Sequence, residues 1–155
     1  MGKMKNRFLL LSVVLALVLV LAGCSKPTMN VEPQDDGSLS ITCDRMYGSG
    51  VSADITVAEG QTLVFTPALE KGTIYVRIMA PATDINKLPD VENDEAYFEG
   101  AFSGDAAGRV DVEPGEYSLF ISTKEDKTTG TMTIVPTAAD AADVPQVLGE
   151  EAAAS

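Results

Sequence analysis

The feature that most constrains this chain is an alternation of apolar and polar residues, of period two, that runs almost unbroken from Ser38 to Pro136. That period places successive side chains on opposite faces of an extended backbone, so it predicts strands with one buried and one wet face. Leu39, Ile41 and Cys43 alternate with Ser40, Thr42 and Asp44, and Ala53, Ile55 and Val57 alternate with Ser52, Asp54 and Thr56. Leu63 and Phe65 share a face; Ile74, Val76 and Ile78 share another. Phe98, Gly100 and Phe102 are followed by Val110 and Val112, by Tyr117, Leu119 and Ile121, and by Met132 and Ile134. The pattern predicts about eight strands and no helix of convincing period.

Turn chemistry falls between these runs. Glu59-Gly60, Lys71-Gly72 and Pro114-Gly115 are turn dipeptides, and Pro-Gly suits the two central positions of a type II turn. Short hairpins joining neighbouring strands are therefore expected. A single sheet would be wet on both faces, whereas two packed sheets bury Leu39, Ile55, Phe65, Val76, Phe98, Leu119 and Ile134 together. The predicted class is all-β, an antiparallel β-sandwich of jelly-roll or Greek-key type over residues 38–136.

In Val112-Glu113-Pro114-Gly115-Glu116-Tyr117-Ser118-Leu119, a Tyr stands two residues after a turn Gly, at the head of a strand and in phase with core positions. This resembles the tyrosine corner of Greek-key sandwiches, which implies that the hydroxyl bonds a nearby backbone group. With Gly60-Gln61-Thr62-Leu63 and the closing Thr129-Gly130-Thr131-Met132-Thr133-Ile134, the region resembles small jelly-roll modules of secreted bacterial proteins. The resemblance implies a fold and carries over no site residues.

Ahead of this region lie a basic start (Lys3, Lys5, Arg7), an apolar run from Phe8 to Val20, and Leu21-Ala22-Gly23-Cys24. The run has the length of a secretory h-region and is short for a membrane span. The four residues resemble the lipobox of bacterial lipoproteins. That resemblance implies a signal peptide at 1–23, cleavage before Cys24, a diacylglycerol thioether on Cys24 and often an acylated amino terminus. Two or three chains, at about 0.8 kcal/mol per buried methylene, would hold the protein on the extracytoplasmic face of a membrane. Residues 24–37, with Lys26, Pro27, Pro33 and Asp35-Asp36, read as a lipidated tether.

Loss of Lys3, Lys5 and Arg7 from the eleven basic residues leaves eight against 23 acids, a balance of −15. A surface so acidic is repelled by nucleic-acid phosphates and by anionic headgroups, so no nucleic-acid partner is expected. Cys43 is then the only remaining thiol; its phase with Leu39 and Ile41 predicts a buried small hydrophobe rather than a reactive group.

The longest break in the alternation, Pro81–Glu95, carries Asp84, Asp90, Glu92, Asp94 and Glu95, and on a rigid sandwich such a loop is the candidate binding surface. It departs from a calcium loop: Glu95 stands where the turn Gly belongs and Ala101 where the bidentate Glu belongs, so no metal and no cofactor is expected. The chain has no His and no Trp. That removes His-based triads and most zinc sites; a carboxylate pair such as Asp94 and Glu99 would need a deep cleft to cleave a glycoside. The expected function is that of a non-catalytic interaction or accessory module at the cell envelope, with an envelope protein as partner. The alternative is a glycan or small-molecule module using Tyr47, Tyr75, Tyr97 and Phe120. Residues 137–155, rich in Ala and acids, read as a disordered tail, with a docked helix through Val144, Val147 and Leu148 as the alternative.

Substituting Cys24→Ala removes the thiol to which the lipid would attach. Metabolic labelling with a radioactive fatty acid should mark the wild-type chain and not the variant, and equal label in both refutes the lipobox reading.

Overall fold

A computed structural model describes residues 26–81, 96–124 and 127–149, and within them every regular element is a strand. The strands are β1 (Thr28–Pro33), β2 (Leu39–Met46), β3 (Gly50–Val57), β4 (Gln61–Lys71), β5 (Thr73–Met79), β6 (Ala96–Ser103), β7 (Gly108–Val110), β8 (Gly115–Ser122) and β9 (Thr128–Ala138). They form a five-stranded sheet, β1-β2-β9-β4-β7, and a four-stranded sheet, β3-β8-β5-β6, with every paired strand antiparallel. The chain is an antiparallel β-sandwich. No helix among the described residues is long and apolar enough to cross a membrane.

The alternation explains the core. Leu39, Ile41, Leu63, Phe65, Met132 and Ile134 from the larger sheet face Ile74, Val76, Ile78, Leu119 and Ile121 from the smaller, and all are essentially inaccessible to solvent. Phe65 stacks on Phe102, with ring centroids 4.6 Å apart, and tilts against Phe98 at 6.4 Å. Pro33 ends β1 at the sheet edge, and the two prolines inside longer strands, Pro67 and Pro136, sit where a missing N–H costs no ladder bond. β7 covers only Leu63–Phe65, so Pro67 lies beyond it, and β2 pairs with β9 only as far as Ile134, short of Pro136.

Three expectations require correction. First, the turn dipeptides do not close hairpins: Glu59-Gly60, Lys71-Gly72 and Pro114-Gly115 each carry the chain from one sheet to the other. Turn chemistry sets a local reversal and leaves open which sheet the next strand joins. Gly60 and Gly72 do adopt positive φ, at 77° and 83°, but Gly115 does not; it opens β8 opposite Val57. At Gly72 a Cβ would lie 2.7 Å from the Thr128 Cα, so both the conformation and the close backbone approach require glycine.

Second, the segment read as a tether contains a ninth strand, β1, paired from Thr28↔Asp44 to Pro33↔Leu39. Its inward Met29 and Val31 pack against the core. A turn with Gly37 at φ 82° leads into β2, and Asp36 Oδ1 accepts from Ser38 N at 3.0 Å.

Third, the tail is ordered well past Pro136. β9 runs to Ala138, and beyond it Arg109 N donates to the Pro145 carbonyl at 2.9 Å while Val147 N donates to the Arg109 carbonyl at 2.8 Å. Gln146 thus pairs in parallel with Arg109 on the open edge of β7. Val147 packs on the core while Leu148 stays exposed, in extended rather than helical geometry.

Cys43 is buried at 2% exposure, a free thiol whose burial raises its pKa above the ordinary value near 9.0. Both access and thiolate formation are suppressed. A thiol reagent should therefore modify it more slowly in the native domain than in denaturant, on the order of tenfold or more. Equal rates refute the buried placement.

Candidate functional site

The strand ends furthest from Thr28 enclose a cleft of about 520 Å³ lined by Tyr97, Asp111, Val112, Glu113 and Tyr117. Tyr97 enters from the head of β6 and Tyr117 from the head of β8. β5 lies between these strands and pairs with β8 only as far as Met79↔Ser118. Tyr97 is the residue left unpaired where the register shifts between Ile78↔Phe98 and Met79↔Ala96, and its ring meets that of Tyr117 edge to face, with centroids 5.6 Å apart and planes at 88°. Tyr97 is 66% exposed, whereas Tyr117 is buried.

Tyr117 has the predicted corner geometry. Its hydroxyl donates to the Glu113 carbonyl at 2.5 Å, clamping the β7–β8 connection onto the head of β8. Burial, and then the neighbouring Tyr97 and Glu113, raise the Tyr117 pKa above its ordinary value near 10.0. Asp111 is positioned by Thr62, whose hydroxyl oxygen lies 2.7 Å from Oδ1 and 2.9 Å from the Val110 carbonyl, and by Arg109, whose Nε is 3.9 Å away. The result is an exposed aromatic ring over a hollow whose walls carry two carboxylates. Such a hollow offers an apolar face for stacking and acceptors for hydroxyl or amine donors.

The other aromatic candidates are dispersed. Tyr47 is 55% exposed, at the opposite end of the sandwich. Tyr75 and Phe120 lie half-buried on the outer face of the four-stranded sheet, Tyr75 beneath Lys124 Nζ at 4.1 Å and Phe120 opposite Arg77, which is ion-paired to Glu99 at 2.6 Å. The ring of Phe120 lies over Gly50, filling the space a Cβ would need. Asp84, Asp90, Glu92, Asp94 and Glu95 lie outside the described residues, as does Cys24. Among the described residues no group of three or more His, Cys, Asp or Glu could hold a metal ion. Asp111 and Glu113 were not singled out in the sequence, where they stand among ordinary polar positions of a turn; only the fold brings Tyr97 to them.

No family model and no curated protein matches the chain. Among solved structures the chain is similar to one described as "CBM4 structure and function", at 15% identity over 74% of this chain and 81% of that one, with a TM-score of 0.36. A likeness of that size bears no weight on ligand or activity.

Tyr117→Phe leaves the Glu113 carbonyl without its donor and should cost about 1–3 kcal/mol, read as a lower denaturation midpoint at unchanged slope. The raised pKa gives this group a stability contribution that is complete below the unfolded value near 10 and is lost as pH rises through the folded value. Tyr117→Phe should therefore also flatten the alkaline loss of stability. A wild-type midpoint refutes the corner.

Proposed function

We propose that the chain is a lipid-anchored extracytoplasmic binding module, without chemistry of its own, that takes a glycan or similar polyhydroxylated ligand in the Tyr97 cleft. The observation that carries this reading is the exposed Tyr97 ring over a 520 Å³ hollow walled by Asp111 and Glu113. The C–H face of a sugar ring stacks on an aromatic face, and its hydroxyls donate to carboxylates; both are present here at the scale of a small-ligand site. The ring is also already braced against Tyr117, so little side-chain freedom is lost on binding. The absence of any His in the sequence supports a binding role over acid-base catalysis. The accessory-protein reading rests on the small size, acidic surface and tether, and its candidate loop, Asp84 to Glu95, lies outside the described residues. Lipid attachment at Cys24 would place the module at the cell envelope, where tethering raises its effective concentration near surface polysaccharide.

The test is calorimetry, or retardation in polysaccharide-containing gels, with a panel of soluble oligosaccharides. Wild type should bind at least one, and Tyr97→Ala should weaken that binding by roughly tenfold, equivalent to about 1.4 kcal/mol of lost ring contact. Because Tyr97 is largely exposed, the variant should keep its melting temperature. A panel without any binder, or a Tyr97→Ala variant that binds as wild type does, refutes the proposal.

A further inference from the structure

The charges of this molecule are segregated along the strand axis. One end is built from the start of β1 and the β2–β3, β4–β5, β6–β7 and β8–β9 turns. They are drawn together by Gly48 N donating to the Lys124 carbonyl at 2.7 Å, Thr123 N to Ser49 at 2.8 Å and Leu69 N to Gly104 at 2.8 Å. Lys26, Arg45, Lys71, Lys124 and Lys127 all belong to this end, five of the eight basic residues that follow Cys24. In sequence they are matched by five acids: Asp44, which pairs with Arg45 at 3.2 Å, Glu70, Asp105, Glu125 and Asp126. In sequence these ten charges cancel, and among the described residues outside this end Arg77 and Arg109 stand with eleven acids. The opposite end exposes Asp35, Asp36, Glu59, Glu113, Glu116 and Asp140.

The second observation is the length of the link to Cys24. Because β1 begins at Thr28, only four residue steps separate the two, a span of at most about 14 Å when fully extended. The linker that the sequence suggested is largely consumed by a strand. The sandwich is about 25 Å from end to end, eight residues of strand at about 3.3 Å each, so the link is too short to let the far end reach the bilayer as easily as the near one.

We infer that the end carrying Lys71, Lys124, Lys127 and Tyr47 rests on anionic phospholipid headgroups and holds the Tyr97 cleft pointing away from the membrane. This rests on the proposed lipid at Cys24, which supplies attachment; the charge distribution supplies orientation. Lys side chains lay their stems along the protein and extend their ammonium groups to phosphate, and an exposed Tyr suits the headgroup layer. The acidic end is repelled by the same surface over roughly a Debye length of about 8–10 Å, which turns it outward. Among the described residues, the net acidity that argued against a membrane contact thus lies in the part of the molecule that makes none.

The experiment uses the full lipidated chain reconstituted in phosphatidylcholine–phosphatidylglycerol vesicles carrying a headgroup quencher. A fluorophore is attached through Ser103→Cys at the near end or Ala139→Cys at the far end, both exposed positions. Quenching should be several-fold stronger at 103 than at 139, and the combined Lys71→Glu, Lys124→Glu, Lys127→Glu variant should bring the two toward equality. Equal or reversed quenching in the wild-type background overturns the orientation, and an undiminished difference in the charge-reversed variant overturns the headgroup contact. Failure of the attachment itself is visible separately, as wild-type chain that floats with the vesicles no better than Cys24→Ala.

Discussion

The contact of Phe65 with Phe102 and Phe98 ties the two sheets together, and most of the architecture depends on it. Phe65 comes from β4 in the interior of the larger sheet; Phe98 and Phe102 come from β6, the edge of the smaller one. A fully buried aromatic or aliphatic side chain contributes about 1.5–3 kcal/mol of transfer free energy, and stacked rings add about 0.5–1.5 kcal/mol beyond area. Without this cross-sheet burial each sheet would expose an apolar face, and the crossing turns at Gly60, Gly72 and Pro114 would have nothing to hold them closed. The core in turn fixes the heads of β6 and β8, and those heads set Tyr97 against Tyr117.

The two ends of the sandwich then take different roles from the same scaffold. One end has turns short enough to be satisfied by backbone bonds between them, such as the Gly48–Lys124 and Thr123–Ser49 pairs, and it gathers the lysines. The other end is where β5 stops short of the head of β8 and the β5–β6 ladder shifts register at Tyr97, leaving a gap that side chains line rather than fill. A cleft at the end of a sandwich costs little core, because the buried layers lie between the sheets and not beyond the strand tips. The proposed anchor and the proposed binding site therefore do not compete for the same surface.

Eight of the nine strands were legible through the period-two alternation of their apolar residues, β7 only by Val110 together with Val112 just past its end. β1 offers only Met29 and Val31, ends in proline and lies at a sheet edge, so its signal was indistinguishable from a polar linker. The turn dipeptides were legible as turns, but the sheet each following strand joins is set by core packing between residues tens of positions apart. Tyr117 was legible, since its hydroxyl partner Glu113 is four residues away. The rest of the cleft was not: Asp111 follows β7 of the larger sheet and Tyr97 lies in β6 of the smaller, and nothing local marks their meeting.

The segment after β9 shows how far such nonlocal packing reaches. Its composition is poor in large apolar residues, and by composition it has no reason to order, yet Val147 seats where Gly108 has no side chain; a Cβ there would lie 2.3 Å from Val147 Cγ2. The strap that results covers the open edge of β7, occupying backbone groups that would otherwise invite pairing with another chain. It also bears on the cleft. Arg109, held by Pro145 and Val147 through its backbone and by the Ala142 carbonyl at 3.4 Å through Nη1, is the cation that faces Asp111. Asp111 is oriented from one side by Thr62 within the sheet and from the other by an arginine whose own position is set by the strap. An Ala- and acid-rich stretch that buries almost nothing thereby helps to shape the wall of the site, because a single valine and two backbone hydrogen bonds suffice to fix a segment against an edge that is already rigid.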